Sequence, residues 1–163
     1  MLTIEQIRSE AFHFRQLIEK CDKNSNALII DCFPVMSCKL SSMLLSYHFL
    51  TLWPNLEITG VTGGTERDNR ISHYWLEIGD VIIDITGDQY NIINSRELNK
   101  AIVKRRPFPS VHVENTGSSY LYELFRILEK EKFVSGFPTI GEDFIWDMEL
   151  GYDQLLGQVE LTQ

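Results

Sequence analysis

Apolar positions change their period along the chain, and each change marks an element. Ile4, Ile7, Ala11, Phe14 and Ile18 recur at three- and four-residue intervals, the spacing of one helix face. Thr3 and Gln6 have the T-x-x-Q spacing of a capping box, so this helix is predicted to start there and to stop at the polar stretch Asp22 to Ser25. Ala27 to Ile30 is a short apolar run that predicts a strand, closed by Phe33-Pro34, because the residue before a proline is pushed out of the helical region. A second helix is predicted from Ser37 or Cys38 to about Leu52, with Leu40, Met43, Leu44, Tyr47 and Leu50 as its buried stripe and Trp53-Pro54-Asn55 as its stop. Leu56 to Thr62 reads as a strand and Gly63 to Arg70 as a polar loop. Ile71 to Ile78 and Val81 to Thr86 read as strands joined by Gly79-Asp80, and a third helix is predicted from about Ser119 to Lys132. Helices precede most of the strands, which predicts an α+β class: N-terminal helices packed on an antiparallel sheet, in one domain spanning residues 1–163.

The two central strands carry the first chemical signal. Glycine first in a two-residue loop suits a type II′ hairpin turn, and that turn sets the register. Ile78 then faces Val81, Glu77 faces Ile82, Leu76 faces Ile83 and Trp75 faces Asp84. Because side chains alternate, one face carries Tyr74, Leu76, Ile78, Val81, Ile83 and Ile85, a core face. The other carries His73, Trp75, Glu77, Ile82, Asp84 and Thr86. Asp84 is the diagonal neighbour of His73, about 7–8 Å away at the backbone. A one-residue slip would expose the apolar set, so this register is favoured. Without a third group, the same residues describe a half-exposed sheet face with a scattered His and Asp.

Cys38 supplies a third group. It follows Ser37 at the predicted start of the second helix, where free N–H groups and the helix dipole favour a thiolate. The same N–H groups suit an oxyanion developing on an attacked carbonyl, and Lys39 adds positive charge. Cys21, at the predicted end of a helix, and Cys32, in an apolar stretch expected to be strand-like, are read as small buried hydrophobes.

Composition narrows the classes. Lys plus Arg is 15 against 23 for Asp plus Glu, a net charge of −8, which suits nucleic acid poorly. No apolar run reaches the ~20 residues of a membrane span, and the N-terminus lacks the pattern of a signal peptide. Three cysteines without a CxxC pair argue against a disulfide framework and point to a cytoplasmic setting. No Cys/His set has zinc spacing, so neither a metal nor another cofactor is expected.

Phe33-Pro34-Val35-Met36-Ser37-Cys38-Lys39-Leu40, then Ser72-His73-Tyr74-Trp75-Leu76-Glu77, then Asp84-Ile85-Thr86-Gly87-Asp88-Gln89-Tyr90 resemble the transglutaminase-like group of the papain-like cysteine fold, its small bacterial members above all. The likeness runs from about Phe33 to Tyr90. It implies a Cys38–His73–Asp84 triad: Cys38 as nucleophile, His73 as general base and acid, Asp84 as orienter, with Trp75 shielding or walling the site. It further implies a thioester intermediate and a peptide or protein substrate, with hydrolysis (peptidase, amidase or deamidase) or transfer to an amine. Ser37 stands where such families often carry glycine, and the extra domains and calcium sites of the large transglutaminases have no counterpart here. Gln89 could donate a hydrogen bond near the site. Asp88 could replace Asp84 in another register, although a loop-fixing turn after Gly87 is the preferred reading. The alternatives to an enzyme are a non-catalytic peptide- or protein-binding module on the same fold and a redox sensor built on Cys38.

The remaining features point to structure. His13 and His48 fall in helices as surface or packing residues, and His112 alternates like a strand residue with no aspartate at hairpin spacing. Lys100, Lys104, Arg105 and Arg106 read as a solvated helix end or a dock for an acidic partner. Gly63-Gly64 lacks the phosphate-loop pattern and reads as a flexible lip beside the site. Glu142, Asp143, Asp147, Glu149 and Asp153, set among Phe144, Ile145, Trp146, Met148 and Leu150, form an amphipathic cover on the core or a partner-binding segment.

Overall fold

Thr3 caps the first helix as its spacing predicts. Its hydroxyl accepts from the Gln6 backbone N–H, the Gln6 side chain answers the Thr3 backbone, and α1 runs Ile4–Lys20 with Ile7, Ala11, Phe14 and Ile18 buried. Those positions drive it onto the rest of the chain, since a helix of this length is held mainly by its apolar face. This is a computed structural model that describes residues 1–65 and 70–161. The described chain is α+β, with a five-stranded antiparallel sheet.

Ala27 to Ile30 forms no strand. Asn26 Oδ1 accepts from the backbone N–H groups of Leu28 and Ile29, at 2.9 and 3.1 Å, so a local side chain takes the place of a ladder while Leu28 and Ile29 still enter the core. The chain then turns continuously to Ser37, and α2 occupies Cys38–Leu52 with Trp53 as its C-cap. It does not bury a single stripe. Ser41, Ser42, Met43, Leu44, Leu45, Ser46 and Phe49 are all buried, because α2 lies between strand β2 (Ser72–Ile78) and the last helix, α6 (Glu142–Leu161).

The sheet also contains β1 (Glu57–Gly64), β3 (Val81–Asp84), β4 (His112–Asn115) and β5 (Arg126–Val134), in the order β4-β3-β2-β1-β5. The β2–β3 ladder pairs Leu76 with Ile83, Glu77 with Ile82 and Ile78 with Val81, as the hairpin turn requires. Gly79 sits at φ 57, a conformation open to glycine at little cost, and Asp80 does not share it, the arrangement of a type II′ turn.

The third predicted helix is overturned. Only one turn, α5 (Leu121–Leu124), forms, and β5 follows as an edge strand on β1. Its run of Glu, Lys and Arg favours a helix in isolation, but burial of Phe133 and pairing with β1 outweigh that preference. Charged residues on an edge strand also discourage pairing with another chain. Gly63 and Gly64 belong to β1, and the rest of the lip expected there, residues 66–69, lies outside the described residues.

Both faces of the central strands β2 and β3 are covered. Tyr74, Leu76, Ile83 and Ile85 join the main cluster with α1, α2 and α6. Val61, Trp75 and Ile82 join a second cluster made by Tyr90, Ile102, Phe108, Tyr120, Leu121, Leu124 and Phe125. These come from α3 (Gln89–Ile92), α4 (Lys100–Arg105), α5 and the segments between them. The alternative of a half-exposed second face is therefore overturned: His73, Trp75, Glu77, Ile82, Asp84 and Thr86 are all buried. α6 covers the main cluster through Met148, Tyr152 and Leu155, and leaves Trp146 and Leu150 exposed. No helix among the described residues is long and apolar enough to cross a membrane.

Candidate active site

Three elements converge where the second face of β2 meets the start of α2. Cys38 opens α2, His73 lies near the start of β2, and Asp84 ends β3. The His73 ring, 1% exposed, has its Nε2 2.8 Å from Asp84 Oδ2, and Asp84 is fully buried. Asp84 Oδ1 accepts from the Thr86 backbone N–H at 3.0 Å, which fixes the carboxylate plane from the other side. Asp84 occupies Nε2, and Cys38 lies close enough to the imidazole for each to shift the other's titration, with a further backbone contribution from Tyr74. Cys38 itself is only partly buried.

The helix start is held in a particular way. Ser37 is the N-cap residue, but its hydroxyl donates to the Val35 carbonyl at 3.2 Å and caps nothing in α2. The first-turn N–H groups of α2 thus lack the side-chain oxygen that a serine at this position ordinarily supplies.

Each charge is shifted by its neighbours. Burial pushes the Cys38 thiol up, but the hydrogen bond and positive charge of His73, with the Tyr74 backbone, outweigh it, and the net shift is downward. Burial pulls His73 down, yet the charge and hydrogen bond of Asp84, with the contact to Cys38, raise it to about 10. Burial pushes Asp84 up, and the charge and hydrogen bond of His73, the Thr86 N–H and the charge of His112 bring it below the usual value. All three shifts run toward thiolate, imidazolium and carboxylate.

Aromatic rings box the imidazole: Tyr90, Phe125 and Trp75 have centroids 5.2, 5.7 and 6.2 Å from it. Trp75 is fully buried, and its indole Nε1 donates to Glu77 Oε2 at 3.0 Å. It backs the imidazole and has no surface open to solvent. Ser37 is also buried. Gln89 Nε2 lies 3.4 Å from His73 Nδ1 and donates to the Thr86 carbonyl at 3.1 Å, so it touches the ring from inside. Asp88 stands apart, held by Arg15 through two bonds of 2.8 and 2.7 Å.

The other candidates separate. Cys21 is buried, whereas Cys32 is exposed in the turns before α2, its thiol 3.3 Å from the Val35 carbonyl, so the expectation of a buried strand-like cysteine fails there. His13 is exposed, and His48 bridges Tyr152 and Glu10 at 2.8 and 2.9 Å. His112 does have an aspartate: β3–β4 pairing sets it opposite Asp84. Strand pairing between segments so far apart in the chain leaves no local spacing to read. Arg106 is no solvated helix end, since its guanidinium donates to the Tyr90 and Ile93 carbonyls. Tyr90 and Phe125 around the ring, and Glu77 beneath Trp75, are contributions the hairpin pattern alone did not assign. No group of three or more His, Cys, Asp or Glu side chains suited to a metal ion occurs among the described residues.

No protein-family model, curated protein or solved structure matches the chain.

Proposed function

We propose that this chain is a cysteine-dependent acyl-transfer enzyme on a papain-like, transglutaminase-like core, acting most readily as a hydrolase of peptide or side-chain amide bonds. The observation that carries the reading is a buried His73–Asp84 pair at 2.8 Å beside a helix-opening Cys38 whose thiol the imidazole draws downward in pKa. Nucleophile, base and orienter in one chain of contacts is the arrangement that thiol acyl transfer needs.

The reaction follows from the protonation states. The Cys38 thiolate attacks the amide carbonyl carbon, a C–S bond forms, and the oxyanion sits against the uncapped N–H groups at the start of α2. His73 Nδ1 passes its proton to the leaving nitrogen as the C–N bond breaks, giving a thioester and a free amine. Asp84 holds the ring throughout and stays ionised. The Gln89 amide N–H faces Nδ1 while that nitrogen is bare. Water, deprotonated by Nδ1, then attacks the thioester, the C–S bond breaks, and the acid leaves with the thiolate restored. An amine in place of water gives transfer.

The test is the alkylation rate of Cys38 by iodoacetamide against pH, read by peptide mass, in wild type and in His73→Ala. A low apparent pKa that disappears without His73 supports the reading. A rate no faster than that of an ordinary thiol turns the same cleft into a non-catalytic binding site.

A further inference from the structure

Arg15 breaks the apolar face of α1. Its side chain is buried beside Ala11, Phe14 and Ile18, where an unpaired cation would be costly. Each nitrogen of its planar fork is engaged. Nε donates to Glu19 Oε1 at 2.8 Å, Nη2 to Asp88 Oδ2 at 2.7 Å, and Nη1 to Asp88 Oδ1 at 2.8 Å. Nη1 also donates to the Ile85 carbonyl at 2.5 Å and reaches the Ser110 carbonyl at 3.3 Å. The guanidinium carbon lies 4.7 Å from the centroid of the Phe33 ring.

Those partners are the flanks of the site. Ile85 directly follows Asp84, Asp88 directly precedes Gln89, Ser110 stands two residues before His112, and Phe33 stands in the turns that lead into Cys38. β3 ends at Asp84, so the carboxylate sits where the ladder stops and the backbone needs another anchor. One guanidinium supplies it, and it also ties the turn that carries Gln89 to the segment before the nucleophile.

We propose that Arg15 is a positioning residue for the Cys38–His73–Asp84 constellation: by clamping residues 85–88 against α1 and Phe33 it sets where the Asp84 carboxylate and the Gln89 amide meet the His73 ring. The proposal rests on the reading of Cys38 as an activated nucleophile. A bidentate fork that also reaches a backbone carbonyl is a geometry lysine does not reproduce. Replacement of Arg15 therefore weakens the thiolate–imidazolium pair even where the helix stays in place.

The experiment is the pH dependence of Cys38 alkylation by iodoacetamide in wild type, Arg15→Lys, Arg15→Gln and Asp88→Asn, at a temperature where circular dichroism shows each variant folded. The expected result is an apparent Cys38 pKa raised by about one unit in Arg15→Gln, with alkylation at pH 7 about tenfold slower and a smaller shift in Arg15→Lys. A folded Arg15→Gln with the wild-type profile overturns the proposal and leaves the reading of the site intact. Should Arg15→Gln not fold, Asp88→Asn decides by the same criterion, an upward shift supporting the clamp and an unchanged profile overturning it. A wild-type Cys38 that titrates as an ordinary thiol overturns the reading of the site, and the clamp with it.

Discussion

On one face of the β2–β3 hairpin, Tyr74, Leu76, Ile83 and Ile85 meet α1, α2 and α6 in a nearly all-apolar cluster. On the other, His73, Trp75, Glu77, Ile82, Asp84 and Thr86 are buried just as deeply, yet four of these six carry ionisable or hydroxyl groups. The first face is stabilised mainly by area, about 25 cal/mol per Å² of apolar surface buried, with Tyr74 OH donating to Glu131 at 2.8 Å. The second must satisfy each polar atom in place: His73 with Asp84, Asp84 with the Thr86 N–H, Trp75 with Glu77, and Glu77 with Tyr122. A buried pair of this kind adds little to stability over an apolar replacement, while breaking it on one side is expensive. A fold that retains such a network where hydrophobes would serve holds a defined charge arrangement beside a partly buried cysteine.

The comparison breaks first at the reactive groups. Cys38→Ala should abolish turnover and leave the melting temperature within a few degrees of wild type, read by amide-substrate hydrolysis alongside calorimetry. Retained turnover would remove Cys38 from the chemistry. Next come paired truncations across the hairpin. Asp84→Ala should cost about 3–5 kcal/mol, because it strands His73, and should also raise the Cys38 pKa. Leu76→Ala should cost about 2–5 kcal/mol from its cavity and leave the thiol's titration unchanged. Urea unfolding and alkylation profiles separate the two, and equal effects on the sulfur would show that the faces are not distinct. Asp84→Asn keeps the shape and loses the charge, so folding should persist while turnover falls by several orders of magnitude.

A smaller effect is expected at Gly87. A Cβ there would lie 2.6 Å from the Tyr120 hydroxyl and 2.9 Å from Asp84 Oδ2, both too close, so Gly87→Ala must displace both groups or shift its own backbone away from one of them. Tyr120 OH is a buried hydroxyl without a partner, free to move without losing a hydrogen bond. Turnover should fall about tenfold with little change in the unfolding midpoint, an effect of about 1.4 kcal/mol on the barrier. A normal rate would mean that the Tyr120 ring yields and the carboxylate stays.

The pH dependence of stability separates the two faces as well. His73 is raised to about 10, so its contribution is complete below its unfolded value near 6.5, shrinks as pH rises and is gone above about 10. Asp84 is lowered, so its contribution is in place above about 3.8 and is lost as pH falls through the folded value. The pH-dependent part of the stability difference between wild type and His73→Gln should therefore fade between pH 6.5 and 10 in urea melts. Leu76→Ala should track wild type over that range.

Much of the hairpin was legible without coordinates. Gly79-Asp80 set the turn, the turn set the register, and alternation put His73 and Asp84 on one face. The capping box at Thr3 and the start of α2 at Cys38 were equally local. Composition yields where a competing partner, distant or local, takes the backbone's hydrogen bonds. Arg126 to Val134 has the composition of a helix and became a strand because β1 offered an unpaired edge. Ala27 to Ile30 has the composition of a strand and lost it to the Asn26 side chain.

Residue order alone thus decided the elements whose signals lie within a few positions: caps, turns, the hairpin register and the placement of a cysteine at a helix start. Tertiary structure decided which of those elements meet. It brought Cys38 beside a His73 ring held by Asp84, buried the second face of the hairpin under α3, α4 and α5, set His112 opposite Asp84, and sent the Arg15 fork to Ile85, Asp88 and Phe33. Contacts across tens of residues leave no period in the sequence, because their energy comes from desolvation and hydrogen bonding that exist only once the chain has closed on itself.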